Sequence, residues 1–154
     1  MKPRALFALA LLAAACGQEE PHDRDGPGGH DHVAPHGGAL VTLGDHFAHI
    51  EVTLDPETGA LSLYVLDAEA EKGVRVSQEG IDLSVTLDDG TEVAVALRAF
   101  GTALTGERPG DTSQFLGAHE RLRGLAEFTA RIDAVEVRGR RFEAVAVDFP
   151  HGDH

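Results

Sequence analysis

The stretch IDLSVTLDDGTEVAVAL, residues 81–97, decides the fold. Apolar residues alternate with polar ones along both halves of it, at Ile81, Leu83, Val85, Leu87, Val93, Val95 and Leu97. Side chains two apart on a strand point to the same side of a sheet, so each half is predicted to be a strand with one buried and one solvated face. Asp88-Asp89-Gly90 between them has the composition of a tight turn. The stretch therefore predicts an antiparallel hairpin.

The same alternation continues on both sides of this hairpin, and helical periodicity is nearly absent. Turn sequences at residues 55–59 and 138–140 separate further strand pairs. The predicted strands are residues 39–43, 46–54, 61–67, 81–87, 91–100, 126–133 and 141–149. The less regular segment 101–124 leaves room for a short strand at 112–116 and one helical turn at 118–123. The sequence thus predicts an all-β fold, an antiparallel immunoglobulin-like β-sandwich of about seven strands.

The first fifteen residues have the composition of a secretory signal peptide. Lys2 and Arg4 precede an apolar run that is too short to cross a bilayer core of about 30 Å as a helix. The sequence LAAAC, residues 12–16, resembles the lipobox of bacterial lipoproteins, although Ala13 stands where leucine is more common. The resemblance implies that Cys16 carries acyl chains such as palmitate and anchors the mature protein. In that family an acidic residue after the cysteine usually retains the protein at the inner membrane, so the resemblance, with Gly17 at this position, implies the outer membrane. The alternative is an ordinary secreted protein with an unpaired cysteine.

Composition divides the chain into four parts. Residues 1–15 are predicted to be the signal peptide, 16–38 a flexible tether rich in His, Gly and Pro, 39–150 the folded domain, and 151–154 a histidine-rich tail. Acidic residues outnumber basic ones by 26 to 13, giving a formal net charge of −13. This charge argues against nucleic acid as a partner and would attract cations, although it could equally serve solubility alone. The single cysteine leaves the fold without a disulfide.

The histidines suggest a metal site. Six of the nine lie in the two terminal segments, several beside carboxylates. Imidazole nitrogens and carboxylate oxygens are ligands for borderline divalent ions, so both ends are predicted to capture a cation. The alternative is that these histidines and carboxylates are solvated linker residues that bind no metal. The candidate ligands are His30, Asp31, His32, His36, His46, His49, His151, Asp153 and His154.

Strand alternation places His49 and Glu51 on the solvated face of the second strand. Three nitrogen ligands would meet at one edge of the fold if the first hairpin brought His36 close to His46 or His49. The mature chain would have no methionine and no free thiol, so Zn(II), Cu(II), Ni(II) or Co(II) suits it better than Cu(I), with zinc and Cu(II) favoured. Imidazole binds metal only when neutral, which predicts release of the ion below about pH 6.5.

Enzyme motifs are incomplete in this sequence. HERLR, residues 119–123, begins like the HExxH motif of zinc proteases, but Arg123 stands where the second histidine ligand belongs. No GxSxG elbow or glycine-rich phosphate loop occurs. The sequence therefore predicts a protein that is not an enzyme, and a hydrolase of unrecognised type is the weakest alternative.

The segment PHGGALV at residues 35–41, the GDH turn at 44–46 and LYVLD at 63–67 carry a family resemblance. They resemble the small β-domain near the start of periplasmic adaptor subunits of heavy-metal efflux pumps, and stand-alone lipoproteins built on that domain. The resemblance implies a β-sandwich close to metal traffic, with only His36, Gly37 and Gly38 matching the family motif. The chain has no room for the helical hairpin and lipoyl-like domain of a complete adaptor.

Two functions follow from these expectations. The first is a lipid-anchored periplasmic protein that binds a divalent transition metal as a buffer or as a delivery partner of a heavy-metal efflux system. Its partners would be the membrane, through lipidated Cys16, and components of the pump. The second is an envelope lipoprotein that binds no metal and docks another protein, with the terminal segments as spacers.

Overall fold

The computed structural model describes residues 32–153, which form an all-β fold. The strands are β1 (Ala39–Leu43), β2 (Ala48–Asp55), β3 (Ala60–Leu66), β4 (Gly80–Thr86), β5 (Glu92–Phe100), β6 (Gln114–Ala118), β7 (Phe128–Val137) and β8 (Arg140–Phe149), with a short 3-10 turn at Glu120–Leu122. Every neighbouring pair is antiparallel, in the order β1-β2-β3-β6-β5-β4-β7-β8. β1 and β8 also contact each other, so the single sheet is nearly closed. The all-β antiparallel prediction is confirmed.

The hairpin predicted at residues 81–97 is formed by β4 and β5. Leu83 lies opposite Val95 and Val85 opposite Val93, and all four side chains are buried. They belong to one hydrophobic core to which all eight strands contribute. Hydrogen bonding therefore joins the strands into one sheet that wraps around this core.

Residues 32–153 contain eight strands, one more than the seven predicted from the sequence. The additional strand, β6, pairs with β3 on one side and β5 on the other. It contributes one fully buried side chain, Phe115, and passes so close to β5 that a Cβ on Gly117 would lie 2.8 Å from the Ala96 carbonyl oxygen. A strand that needs glycine at a close approach carries a weak strand signal in its sequence.

A short N-terminal segment, residues 32–38 and called the arm below, lies over the outer side of the first three strands. Ala34 of the arm packs against a second small hydrophobic cluster formed by Leu40, Leu66 and Ala70. The sequence predicts that residues 32–38 belong to a flexible tether, whereas in the structure the arm contacts the folded domain. The prediction that His49 and Glu51 lie on a solvated face of β2 is wrong, since both side chains are fully buried. They are buried because the arm lies over this face.

The C-terminal residues close the free edge of β1. The main-chain N–H of Asp153 donates to the Leu40 carbonyl oxygen at 3.1 Å, and its carboxylate accepts the Thr42 N–H at 2.7 Å. These bonds satisfy groups that an edge strand would otherwise expose for pairing with another chain. Among residues 32–153, no helix is both long and apolar enough to cross a membrane.

Candidate metal centre

Three histidines from different parts of the chain converge beside the β1–β2 hairpin. His32 comes from the arm, His46 from the β1–β2 turn and His49 from β2 itself. One ring nitrogen from each can be chosen so that all three lie within 4.8 Å of one another. The nitrogens of two imidazoles on one tetrahedral zinc ion lie about 3.3 Å apart. Small movements of the rings would therefore bring all three to bonding distance of a single ion.

His49 is the buried member of this group, and its tautomer is fixed by its surroundings. Its Nδ1 lies 2.9 Å from the main-chain carbonyl oxygen of Asp67. A carbonyl oxygen can only accept, so Nδ1 must carry a proton, and in the neutral form of the ring Nε2 then presents a lone pair. That Nε2 is buried and has no hydrogen-bond partner among residues 32–153. Metal-bound histidines are commonly held in this way, with the second ring nitrogen donating to a carbonyl.

The Asp67 carbonyl that orients His49 belongs to a well-braced turn after β3. The main-chain N–H of Asp67 donates to the Lys72 carbonyl oxygen at 2.9 Å. The Asp67 carboxylate accepts the N–H groups of Glu71 and Lys72 at 2.9 and 3.2 Å. Partial burial raises the pKa of this carboxyl, but the donated hydrogen bonds together with the nearby Lys72 charge outweigh that effect and hold its pKa below its ordinary value. The turn therefore keeps the acceptor of His49 in place while Asp67 is ionised.

His46 lies at the solvent-exposed side of the group, in a strained turn. Its φ of 48° is in the left-handed region, which histidine visits more often than most residues other than glycine. The main-chain N–H of Phe47 closes the turn onto the Leu43 carbonyl oxygen at 3.0 Å. From β8, the Arg140 guanidinium lies 5.3 Å from the centre of the Phe47 ring and 5.0 Å from that of Phe142. These contacts hold the turn that presents His46 to the other two rings.

His36 is not part of the three-histidine group. Its Nδ1 lies 2.6 Å from Oε2 of Glu51, a carboxylate that is fully buried. Its ring stacks on Tyr64, with 3.7 Å between the ring centres and 7° between the planes. The first hairpin does bring histidines together as the sequence suggested, but the third nitrogen comes from His32 instead of His36.

The other predicted ligands lie elsewhere or outside the described residues. His151 is exposed, and the Asp153 carboxylate is engaged by Thr42. The positions of His30, Asp31, His154 and Cys16 fall outside residues 32–153. In the motif-like segment at 119–123, Nδ1 of His119 accepts the Arg121 N–H at 3.1 Å and so caps the 3-10 turn.

Comparisons of this chain with protein-family models, with curated proteins and with solved structures found no match. The chemistry of the three-histidine group is therefore the evidence for function. The three imidazoles supply nitrogen ligands, and one of them, His49, has a buried nitrogen with no hydrogen-bond partner among residues 32–153.

Proposed function

We propose that this protein binds one divalent transition metal ion at His32, His46 and His49. The observation that carries the proposal is the buried Nε2 of His49, which has no hydrogen-bond partner among residues 32–153. Leaving such a group unpaired costs about 1–3 kcal/mol, and a bound cation would remove that cost. Two further imidazoles lie within reach of the same point.

Three neutral nitrogen ligands favour zinc or Cu(II) over the soft ion Cu(I) and over the hard ions magnesium and calcium. His46 is exposed and His32 half-buried, so an ion at this position could be reached from solvent. A site that is accessible on one side suits exchange of the ion with another protein. The role we propose is therefore binding and transfer of metal, with no catalysed reaction.

We further propose that this binding takes place in the bacterial envelope, with the protein anchored to the membrane through lipidated Cys16. The support is the lipobox-like sequence at residues 12–16 together with the three-histidine group in the folded domain. In that location the protein would buffer a toxic cation or pass it to a heavy-metal efflux system.

Calorimetric titration of the purified protein with Zn²⁺ and Cu²⁺ tests the proposal. We expect one ion per chain, with a dissociation constant well below about 100 μM. His32→Ala, His46→Ala and His49→Leu should each weaken binding by at least about tenfold, and His151→Ala, an exposed histidine outside the group, should not. Absence of binding tighter than about 100 μM in the unmodified protein would refute the proposal.

A further inference from the structure

We infer that Glu51 and His36 form a latch that positions His32, so that docking of the arm and binding of the metal ion strengthen each other. The inference rests on the proposed metal site. It concerns residues that would not touch the ion, and it predicts that their removal weakens metal binding. Glu51 and His36 are therefore positioning residues and not ligands.

The first support is the set of hydrogen bonds that the buried Glu51 carboxylate accepts. Its Oε1 accepts the main-chain N–H groups of His36 and Gly38, at 2.8 and 2.9 Å. Its Oε2 lies 2.6 Å from Nδ1 of His36. All three hydrogen-bond partners of the carboxyl group belong to the arm. Glu51 thus holds the arm at one point on β2.

The second support is the packing around this point. Tyr64 lies directly opposite Glu51 on β3 and stacks on the ring of His36, whose side chain is 41% exposed. The arm also passes close to β2, because a Cβ on Gly38 would overlap the Val52 carbonyl oxygen and lie 2.7 Å from Cγ2 of Thr53. The path of residues 36–38 is therefore fixed from two sides.

The third support is the distance from the latch to the metal ligands. His49 and Glu51 are two residues apart on the same side of β2, which separates them by about 7 Å along the strand. His32 precedes His36 by four residues, and four extended residues span at most about 14 Å. Holding His36 at Glu51 therefore confines His32 to the neighbourhood of His49. Without the latch, the ion would have to bear the entropic cost of ordering the arm.

The coupling must act in both directions. If the docked arm raises the affinity for metal, bound metal must stabilise the docked arm by the same free energy. The N–H groups of His36 and Gly38 report docking directly, because both donate to Glu51 and neither residue is in the three-histidine group. Metal should slow their exchange with solvent deuterium.

The experiment measures Zn²⁺ affinity by competition with a chromophoric chelator in four variants of the protein. Glu51→Leu removes all three acceptor contacts, and His36→Phe keeps an aromatic ring on Tyr64 but removes the Nδ1 contact. Both should weaken Zn²⁺ binding, Glu51→Leu by about 10–100-fold, the range found when residues behind metal ligands are changed. Glu51→Gln retains an oxygen acceptor and should recover part of the loss.

The matched control is Glu107→Leu. Glu107 is also a largely buried carboxylate that accepts a main-chain N–H, that of Ser113 at 3.0 Å, but it lies on a different loop. It should lower stability without changing Zn²⁺ affinity. An equal loss of affinity in Glu107→Leu would show that general destabilisation explains the effect, and would overturn the inference.

The failures of the two proposals are distinguishable. If the unmodified protein binds no Zn²⁺, the proposed function is wrong. If it binds Zn²⁺, and Glu51→Leu and His36→Phe bind it as tightly, the latch is wrong and the metal site stands. If Glu51→Leu does not fold, two other measurements test the coupling. It is refuted if His36→Phe binds Zn²⁺ as tightly as the unmodified protein and if Zn²⁺ leaves amide exchange at His36 and Gly38 of the unmodified protein unchanged.

Discussion

Replacing His49 by leucine should stabilise the metal-free protein, which is the opposite of what a buried structural histidine would show. The change removes the unpaired Nε2, a relief of about 1–3 kcal/mol. It also removes the hydrogen bond from Nδ1 to the Asp67 carbonyl, whose net worth is about 0.5–1.5 kcal/mol. Leucine is similar in size to histidine, so no large cavity is expected. The balance is a gain of about 1 kcal/mol in the free energy of unfolding.

Metal should reverse this order of stability. At a free Zn²⁺ concentration one hundred times the dissociation constant, binding to the native state stabilises the unmodified protein by about 2.7 kcal/mol. The His49→Leu variant lacks the buried ligand and should gain little. The unmodified protein would then be the less stable of the two in chelator and the more stable in zinc.

Urea denaturation followed by circular dichroism, in EDTA and in excess Zn²⁺, measures both comparisons. A parallel thermal melt in EDTA should place the variant a few degrees above the unmodified protein, about 3–5 °C for 1 kcal/mol. His151→Ala is the control and should follow the unmodified protein in both conditions. If His49→Leu loses more than about 1 kcal/mol in EDTA, His49 is a structural residue and the reasoning from its unpaired nitrogen is refuted.

Three further predictions concern the scaffold of the site. Gly38→Ala should lower the free energy of unfolding by about 1–3 kcal/mol in urea denaturation, because the new methyl group overlaps the Val52 carbonyl oxygen; unchanged stability would contradict the close approach. The lowered pKa of Asp67 should stabilise the fold above the ordinary carboxyl pKa of about 3.9, and this contribution should be lost as pH falls through the folded pKa; an Asp67→Ala variant that keeps the full acid dependence would disprove it. Arg140→Leu should cost about 0.5–1 kcal/mol through loss of its two cation–π contacts, and an unchanged urea midpoint would rule that contribution out.

The core of the fold could be predicted because alternation in the sequence maps directly onto the faces of strands. The residues of the 81–97 hairpin that alternate as apolar are buried as expected. The alternation of apolar residues does not predict the bounds of β6. Its pairing with β5 depends on Gly117 fitting against Ala96, and glycine adds nothing to an alternating pattern. Segment 101–124 nevertheless contains the short strand and the helical turn for which the sequence left room, with the strand displaced to Gln114–Ala118.

The site was harder to predict, because the periodicity of β2 separates its two faces without showing what covers each one. His49 and Glu51 do share the face opposite Ile50, as alternation requires. That face is buried because the arm lies over it, and the composition of residues 32–38 resembles a tether. The short spacing between His46 and His49 correctly predicts that these two side chains lie close together. The sequence does not predict that His32 joins them in place of His36, because His36 is held by Glu51, and strand alternation predicts that Glu51 is exposed to solvent.

The two buried polar residues of β2 differ in a way that bears on what the arm is for. The arm supplies three hydrogen-bond partners to Glu51 and none to Nε2 of His49. If the arm served only to cover Leu40 and Leu66, an apolar residue at position 49 would give a more stable fold. The arm would then bury no unpaired nitrogen, and the free-energy cost of that burial would be avoided. The unpaired nitrogen is explained if one cation is bound by Nε2 of His49 together with His32 and His46. The Glu51 carboxylate therefore has all of its partners, while Nε2 of His49 beside it has none among residues 32–153. This difference is expected if the arm brings a metal ligand to His49, and it is not expected if the arm only covers a surface.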